Sequence, residues 1–113
     1  GGAELLLSSG FDGHVGVWDI TKKRYSMPRL EAMFRAHSQE VLCLKVNALN
    51  KTFITSGNDR ALHVWSLTNY EQLARLEGHK DAVTCLALDG NFLLSASDDG
   101  AIHMWDMHSY MAL

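Results

Sequence analysis

A tryptophan-centred pattern occurs three times in this chain and constrains its fold more than any other feature. The three segments are SSGFDGHVGVWDI (residues 8–20), TSGNDRALHVWSL (residues 55–67) and SASDDGAIHMWDM (residues 95–107). In each segment an aspartate lies six residues before the tryptophan, and a hydroxyl residue lies four residues before that aspartate. The tryptophans Trp18, Trp65 and Trp105 are 47 and 40 residues apart. Such a period indicates a repeat protein, in which each repeat is one supersecondary unit that packs against its neighbours.

Each period also contains short apolar runs rich in β-branched residues and separated by Gly, Asn and Asp, as strands and turns are. The candidate strands are residues 41–46, 53–55, 61–65 and 72–76 in the second period, residues 83–88, 92–95 and 101–105 in the third, and residues 31–35 before them. Pro28 is the one proline of the sequence, and no helical stripe exceeds two turns. The pattern therefore predicts an antiparallel all-β protein with four short strands per period.

A histidine precedes two of the repeats, His37 in RAHSQEV and His79 in EGHKDAV. With this mark and its period, nearly the whole chain resembles the WD-repeat β-propeller family. The resemblance implies an all-β propeller of four-stranded antiparallel blades, present here as an incomplete arc. The expected units are 1–36 (a blade lacking its innermost strand), 37–78 (a complete blade) and 79–113 (a blade lacking most of its outer strand). An open arc leaves apolar faces in water, so we expect a piece of a longer protein that does not fold stably alone.

The resemblance also implies a hydrogen-bonded structural tetrad of His, Ser/Thr, Asp and Trp in each blade. The matching positions are His37, Thr55, Asp59 and Trp65 in one repeat, His79, Ser95, Asp99 and Trp105 in the next, and Ser8, Asp12 and Trp18 in the first. A buried indole N–H needs an acceptor, and a hydroxyl can accept it while bonding to an imidazole. The same residue types also form nucleophilic triads. Because the set recurs at matching offsets, we expect a structural role and no catalytic residue.

Other histidines and the cysteines raise the question of metal binding. His63 and His103 each lie two residues before a tryptophan, at equivalent positions of adjacent sheets. Packed sheets lie about 10 Å apart, too far for both histidines to bind one zinc ion. Cys43 and Cys85 also occupy equivalent positions, typical of small apolar core residues. We therefore expect neither a metal nor a cofactor.

The candidate partner-binding residues lie in the loops at the two ends of the blades. Differences in loop length between repeats all fall at one end, where the longest excursion is basic. Its candidates for an acidic partner are Lys22, Lys23, Arg24, Tyr25 and Arg29. The family commonly recognises partners at the opposite end, where the candidates are Phe11, Asn58 and Asp98, with Glu40 and Asp81. For both sets, a purely solvated or packing role is the alternative.

Composition restricts the function classes. Apolar residues make up 47% of the chain and charged residues 20%, as in ordinary globular proteins. The net charge of −3 argues against nucleic-acid binding, which depends on phosphate neutralisation by Lys and Arg. No apolar run reaches the roughly 18–20 residues of a membrane-spanning helix.

We therefore expect a non-catalytic protein–protein interaction scaffold, intracellular and cytoplasmic, within a larger assembly. A cytoskeletal or ciliary assembly, such as the axoneme, is the more specific suggestion. The expected partners are other proteins and the remaining blades of the same propeller, with no nucleic acid and no membrane. The alternative is a structural propeller domain of a larger multidomain enzyme or regulatory protein.

Overall fold

A computed structural model of the chain describes residues 5–10, 12–19 and 29–113. These residues form eleven strands and no helix, so none of them belongs to a helix long and apolar enough to cross a membrane. The strands are β1 Leu5–Ser9, β2 His14–Asp19, β3 Arg29–Arg35, β4 Val41–Asn47, β5 Thr52–Gly57, β6 Leu62–Ser66, β7 Gln72–Leu76, β8 Val83–Asp89, β9 Phe92–Ser97, β10 Ile102–Asp106 and β11 Met111–Ala112.

The strands form three antiparallel sheets in chain order. The first sheet contains β1–β2–β3, the second β4–β5–β6–β7 and the third β8–β9–β10–β11. Within each sheet, every strand pairs with its neighbour along the chain, as short connections favour. The predicted all-β, antiparallel architecture of four-stranded units in an unclosed arc is therefore confirmed.

The pairing register decides which side chains share a face. On the second sheet, Phe53 lies opposite Trp65 and Thr55 lies opposite His63. Because side chains alternate across a strand, these four residues all face the first sheet. The same register recurs on the third sheet, where Ser95 lies opposite His103. A bulge also recurs at equivalent positions, between Val41 and Cys43 and between Val83 and Cys85.

The apolar core consists of two layers between the sheets. One layer joins the first sheet to the second through Val15, Ala36, Val41, Phe53 and Trp65. Phe34 of β3 packs against this layer, with its ring centroid 4.8 Å from that of Trp65. The other layer joins the second sheet to the third and contains Ile54, Leu62, Val64, Leu76, Val83, Leu86, Leu93, Trp105 and Met107. The second sheet is consequently buried on both faces.

The outer face of the third sheet carries exposed apolar side chains. Ile102 is 72% exposed and Met104 is 41% exposed. A shallow pocket on this face is lined by Cys85, Leu86, Ala87, Leu94, Ser95, Ala96 and Ile102. This is the type of face that a further blade covers in a stacked β-sheet protein.

Candidate functional site

A chain of buried hydrogen bonds links four of the repeat residues in the second sheet. The His37 Nδ1–H donates to the Asp59 carboxylate at 2.8 Å. In this tautomer His37 Nε2 accepts from the Thr55 hydroxyl at 2.7 Å, and Thr55 Oγ1 accepts from the Trp65 indole N–H at 3.0 Å. Thr55 has no solvent exposure and His37 is 2% exposed. The four side chains thus connect the segment before β4 to β5, the β5–β6 turn and β6.

The third sheet repeats this arrangement with one difference. Ser95 Oγ lies 2.7 Å from His79 Nε2 and accepts from the Trp105 indole N–H at 2.8 Å. Asp99 makes no hydrogen bond to His79, contrary to the sequence expectation for a fourth member. Its carboxylate instead accepts from the backbone N–H groups of Ala101 at 2.9 Å and Lys80 at 3.0 Å. These two bonds hold the pKa of Asp99 below its usual value and leave the buried His79 Nδ1 without a partner.

The first sheet contains a shorter version of the same set. The Trp18 indole N–H donates to Ser8 Oγ at 3.1 Å. Asp12 accepts from the His14 backbone N–H at 3.1 Å, which lowers the pKa of this exposed carboxyl. Ser8 and Trp18 are therefore brought together, while Asp12 caps the β1–β2 turn.

Two further histidines lie beside these hydrogen-bonded chains. The rings of His63 and His37 are 4.3 Å apart, and those of His103 and His79 are 4.1 Å apart. His63 is only 7% exposed. Its burial, together with the nearby His37, lowers the pKa of His63 to about 4, so its imidazole is neutral at pH 7. Sequence reasoning missed this contact because it compared His63 with His103. The available signal was the β5–β6 register, which places His63 opposite Thr55, the hydrogen-bond partner of His37.

We call one end of the sheets the short-loop end; it comprises residues 10, 12–13, 36–40, 58–61, 77–82 and 98–101. Its turns between β1 and β2, β5 and β6, and β9 and β10 each contain four residues. Asn58 donates to Glu40 through both backbone (3.1 Å) and side chain (3.3 Å). The Asp98 backbone N–H donates to the Ala82 carbonyl at 3.0 Å, next to the exposed Asp81. Phe11 lies outside the described residues.

Charge at the short-loop end is predominantly acidic. These loops contain seven carboxylates and two Lys or Arg side chains, Arg60 and Lys80. The carboxylates are Asp12, Glu40, Asp59, Glu77, Asp81, Asp98 and Asp99. A shallow pocket of about 250 Å³ lies at the junction of the first and second sheets, between Gly10 and Glu40. This end thus offers carboxylate acceptor groups beside a shallow pocket.

The opposite, long-loop end comprises residues 48–51, 67–71, 90–91 and 107–110. Its loops differ in length, with four residues between β4 and β5 and two between β8 and β9. Four of the basic-loop candidates, Lys22, Lys23, Arg24 and Tyr25, lie outside the described residues. The fifth, Arg29, begins β3.

A family model, curated relatives and a solved structure all match most of this chain. The family model "WD domain, G-beta repeat" matches residues 28–66 and 70–106. Mitochondrial division protein 1 of Saccharomyces cerevisiae is 30% identical over 124 residues, covering 92% of this chain and 17% of that protein. Ribosome biogenesis protein YTM1 of Eremothecium gossypii is 30% identical over 118 residues, covering 92% of this chain and 25% of that protein. The chain thus spans a quarter or less of each of these relatives.

A solved structure of the RRP9 WD40 repeats superposes with a TM-score of 0.86 at 22% identity, covering 96% of this chain and 34% of that one. This likeness shows the fold, an arc of propeller blades. The names of the two relatives refer to mitochondrial division and ribosome biogenesis. They give no support to the suggested cytoskeletal or ciliary assembly.

Proposed function

This chain belongs to the WD domain, G-beta repeat family, and from that membership we propose that it is a non-catalytic scaffold that binds other proteins through its loops. We place the scaffold in the cytoplasm, since both Cys43 and Cys85 are free thiols and reducing compartments keep thiols free. The short-loop end is the surface to which we assign the principal partner.

The observation that carries this proposal is that backbone hydrogen bonds join the loops of the short-loop end to one another in each sheet. The Asn58 backbone N–H is tied to the Glu40 carbonyl in the second sheet, and the Asp98 N–H is tied to the Ala82 carbonyl in the third. Across the junction of the first and second sheets, the Val41 backbone N–H donates to the Gly10 carbonyl at 3.1 Å. Loops held in this way lose little conformational entropy when a partner binds, which favours affinity.

The charge of this end indicates the chemistry of its partner. Asn58, Asp81 and Asp98 are exposed, and carboxylates outnumber cations in these loops. Complementary charge accelerates association and selects among partners. We therefore assign to this end a protein segment rich in Lys and Arg. The basic loop at the long-loop end is complementary to an acidic protein and serves as the second proposed contact.

A catalytic role for the hydrogen-bonded side chains receives no support from their geometry. Ser95, the nucleophile of a hypothetical triad, is 1% exposed, and Asp99 makes no hydrogen bond to His79. A nucleophile must reach its substrate, and the base must be held by a third group. We assign these side chains to fixing the register of the strands, because a satisfied buried polar network specifies one arrangement.

The test uses affinity purification of the full-length natural protein followed by mass spectrometry. The double variant Asp81→Asn/Asp98→Asn removes two charges from the short-loop end without changing side-chain size. Its matched control is Asp89→Asn, an exposed aspartate at the far end of β8. Lys22→Ser/Lys23→Ser tests the basic loop in the same way.

We expect the double aspartate variant to lose a partner that wild type and Asp89→Asn retain. Increasing salt should release the same partner from the wild-type protein, because salt screens the attraction between opposite charges. Equal partner sets for all variants would overturn the assignment of these surfaces. No partner for any bait, even at low salt, would overturn the scaffold itself and favour a structural propeller domain of a larger enzyme. Near-UV circular dichroism of each variant establishes that the fold is intact.

A further inference from the structure

Three side chains capable of binding a metal converge on one face of the second sheet. One nitrogen from each of His37 and His63 and one carboxylate oxygen of Asp59 lie within 4.8 Å of one another. The His37 Nδ1 to Asp59 Oδ2 distance is 2.8 Å, and the His63 Nε2 to Asp59 Oδ2 distance is 3.9 Å. Ligands placed ~2.0–2.2 Å from a tetrahedral zinc ion are separated by about 3.4 Å. These two distances lie on either side of this value, and the two imidazole nitrogens lie within 4.8 Å of each other, so the His63 ring must move toward Asp59 and His37 for all three atoms to bind one ion.

The state of His63 is the observation that points to a ligand. His63 is more than nine-tenths buried, yet its Nε2 has no hydrogen-bond partner. This nitrogen is aimed at the Asp59 carboxylate from 3.9 Å, which is too far for a hydrogen bond. Natural proteins rarely leave a buried polar atom unpartnered, and a bound ion is one of the usual reasons.

We propose that His37, Asp59 and His63 form a binding site for a divalent transition metal of the zinc type. Two imidazoles and one carboxylate form a donor set that zinc uses in proteins, with water in the fourth position. The site lies at the short-loop end of the second sheet, where the Asp59 side chain is 10% exposed. His37 and Asp59 would therefore bind a metal in addition to fixing the register of the strands.

Neighbouring groups can supply the second shell that orients metal-bound histidines. When His37 Nδ1 binds the ion, its proton moves to Nε2, which then donates to Thr55 Oγ1, 2.7 Å away, and the Thr55 hydroxyl hydrogen rotates away from His37. His63 Nδ1 lies 3.1 Å from the Gln72 side-chain amide. When His63 Nε2 binds the ion, Nδ1 carries the proton, and the Gln72 amide turns so that its oxygen accepts it. Each ring keeps one proton, so metal binding changes tautomers without releasing protons from the imidazoles.

The third sheet provides an internal comparison. His79 and His103 stack as closely as His37 and His63 do, with ring centroids 4.1 Å apart. Asp99, however, is exposed and gives its carboxylate to the backbone of Lys80 and Ala101. Among the described residues, the second-sheet set alone brings three ligand atoms together. His103 is therefore the matched control for His63.

The experiment titrates the full-length natural protein, freed of metal by a chelator, with Co²⁺ and then Zn²⁺. We expect wild type to bind one Co²⁺ at this site, with the visible absorption typical of tetrahedral cobalt, and to release it to Zn²⁺. Binding of Zn²⁺ should also raise the thermal unfolding midpoint, because the ion binds the native state. His63→Gln and Asp59→Asn should weaken metal binding at least 10-fold, whereas His103→Gln should bind like wild type.

Absence of the cobalt signal in wild type would overturn the proposal, as would equal binding by wild type and His63→Gln. An equal loss in His103→Gln would also overturn it, since that ring has no carboxylate partner. If the Gln or Asn variants fail to fold, X-ray absorption of the zinc-loaded wild type decides the matter. Two imidazoles and oxygen around the metal are expected, and sulfur ligation by Cys43 or Cys85 would overturn the assignment.

Discussion

Replacing Thr55 by Val tests whether the buried hydroxyl stabilises this protein through its hydrogen bonds. Thr55 Oγ1 accepts from the Trp65 indole N–H at 3.0 Å and lies 2.7 Å from His37 Nε2, and the residue has no solvent exposure. Valine has nearly the same shape, so it opens no cavity. It leaves one buried donor and one buried acceptor without partners, at about 1–3 kcal/mol each. We expect a loss of about 2–6 kcal/mol in the free energy of unfolding.

Thr55→Ser is the matched comparison because it keeps the hydroxyl and removes the methyl group. The lost burial amounts to roughly 1 kcal/mol, and serine already occupies the equivalent position, Ser95, in the third sheet. The serine variant should therefore be more stable than the valine variant by about 2 kcal/mol. Burial of apolar surface alone predicts the opposite order.

The assay is equilibrium urea unfolding of the full-length natural protein, followed by tryptophan fluorescence and far-UV circular dichroism. The midpoint and slope are fitted together, because a change in slope signals a loss of two-state behaviour. Ser95→Ala removes the equivalent hydroxyl in the third sheet and should also destabilise the protein. A valine variant as stable as the serine variant would refute the reasoning, since loss of both hydrogen bonds would then cost no more than the roughly 1 kcal/mol of one buried methyl group.

Three further predictions concern packing and pH. Gly57→Ala should lower the free energy of unfolding by at least ~1–3 kcal/mol, because its Cβ would lie 2.2 Å from the Glu40 carbonyl oxygen; an unchanged urea midpoint would contradict this. Burial and the nearby His103 hold the pKa of His79 below 6.5 in the native state. Below pH 6.5 the unfolded chain therefore binds more protons than the native one. The free energy of unfolding should fall as the pH drops from 6.5 through the lowered native pKa of His79. His103→Gln should make that acid-side loss smaller, as midpoints measured from pH 7.5 to pH 5 would show, and an unchanged profile would count against the coupling. Phe34→Ala should cost about 2–4 kcal/mol by removing the aromatic contact between the first two sheets, and Phe34→Leu clearly less; equal urea midpoints for the two variants would show that the aromatic contact contributes little.

The sequence by itself determined the repeat, the antiparallel strands and the hydroxyl–tryptophan pair of each sheet. Local alternation and turn residues place a strand without reference to the rest of the chain. A pleated strand and a turn of constant length bring Thr55 and Trp65 together, as they do Ser95 and Trp105. The partner-binding residues stay predictions, because exposure and charge at a loop end do not identify what binds there.

Only the tertiary structure decided how the histidines and aspartates are used. Asp59 and Asp99 occupy equivalent places in the repeat, and each accepts from the backbone N–H two residues later. Asp59 also holds the His37 ring, whereas Asp99 accepts from the Lys80 N–H and makes no hydrogen bond to His79. Sequence spacing does not distinguish them, because a carboxylate turns toward whichever donors its local surroundings leave unpaired. The unpartnered nitrogen of His63 arises in the same way. Its burial results from the register of two strands and the packing of the first sheet over the second, and these are properties of the assembled fold.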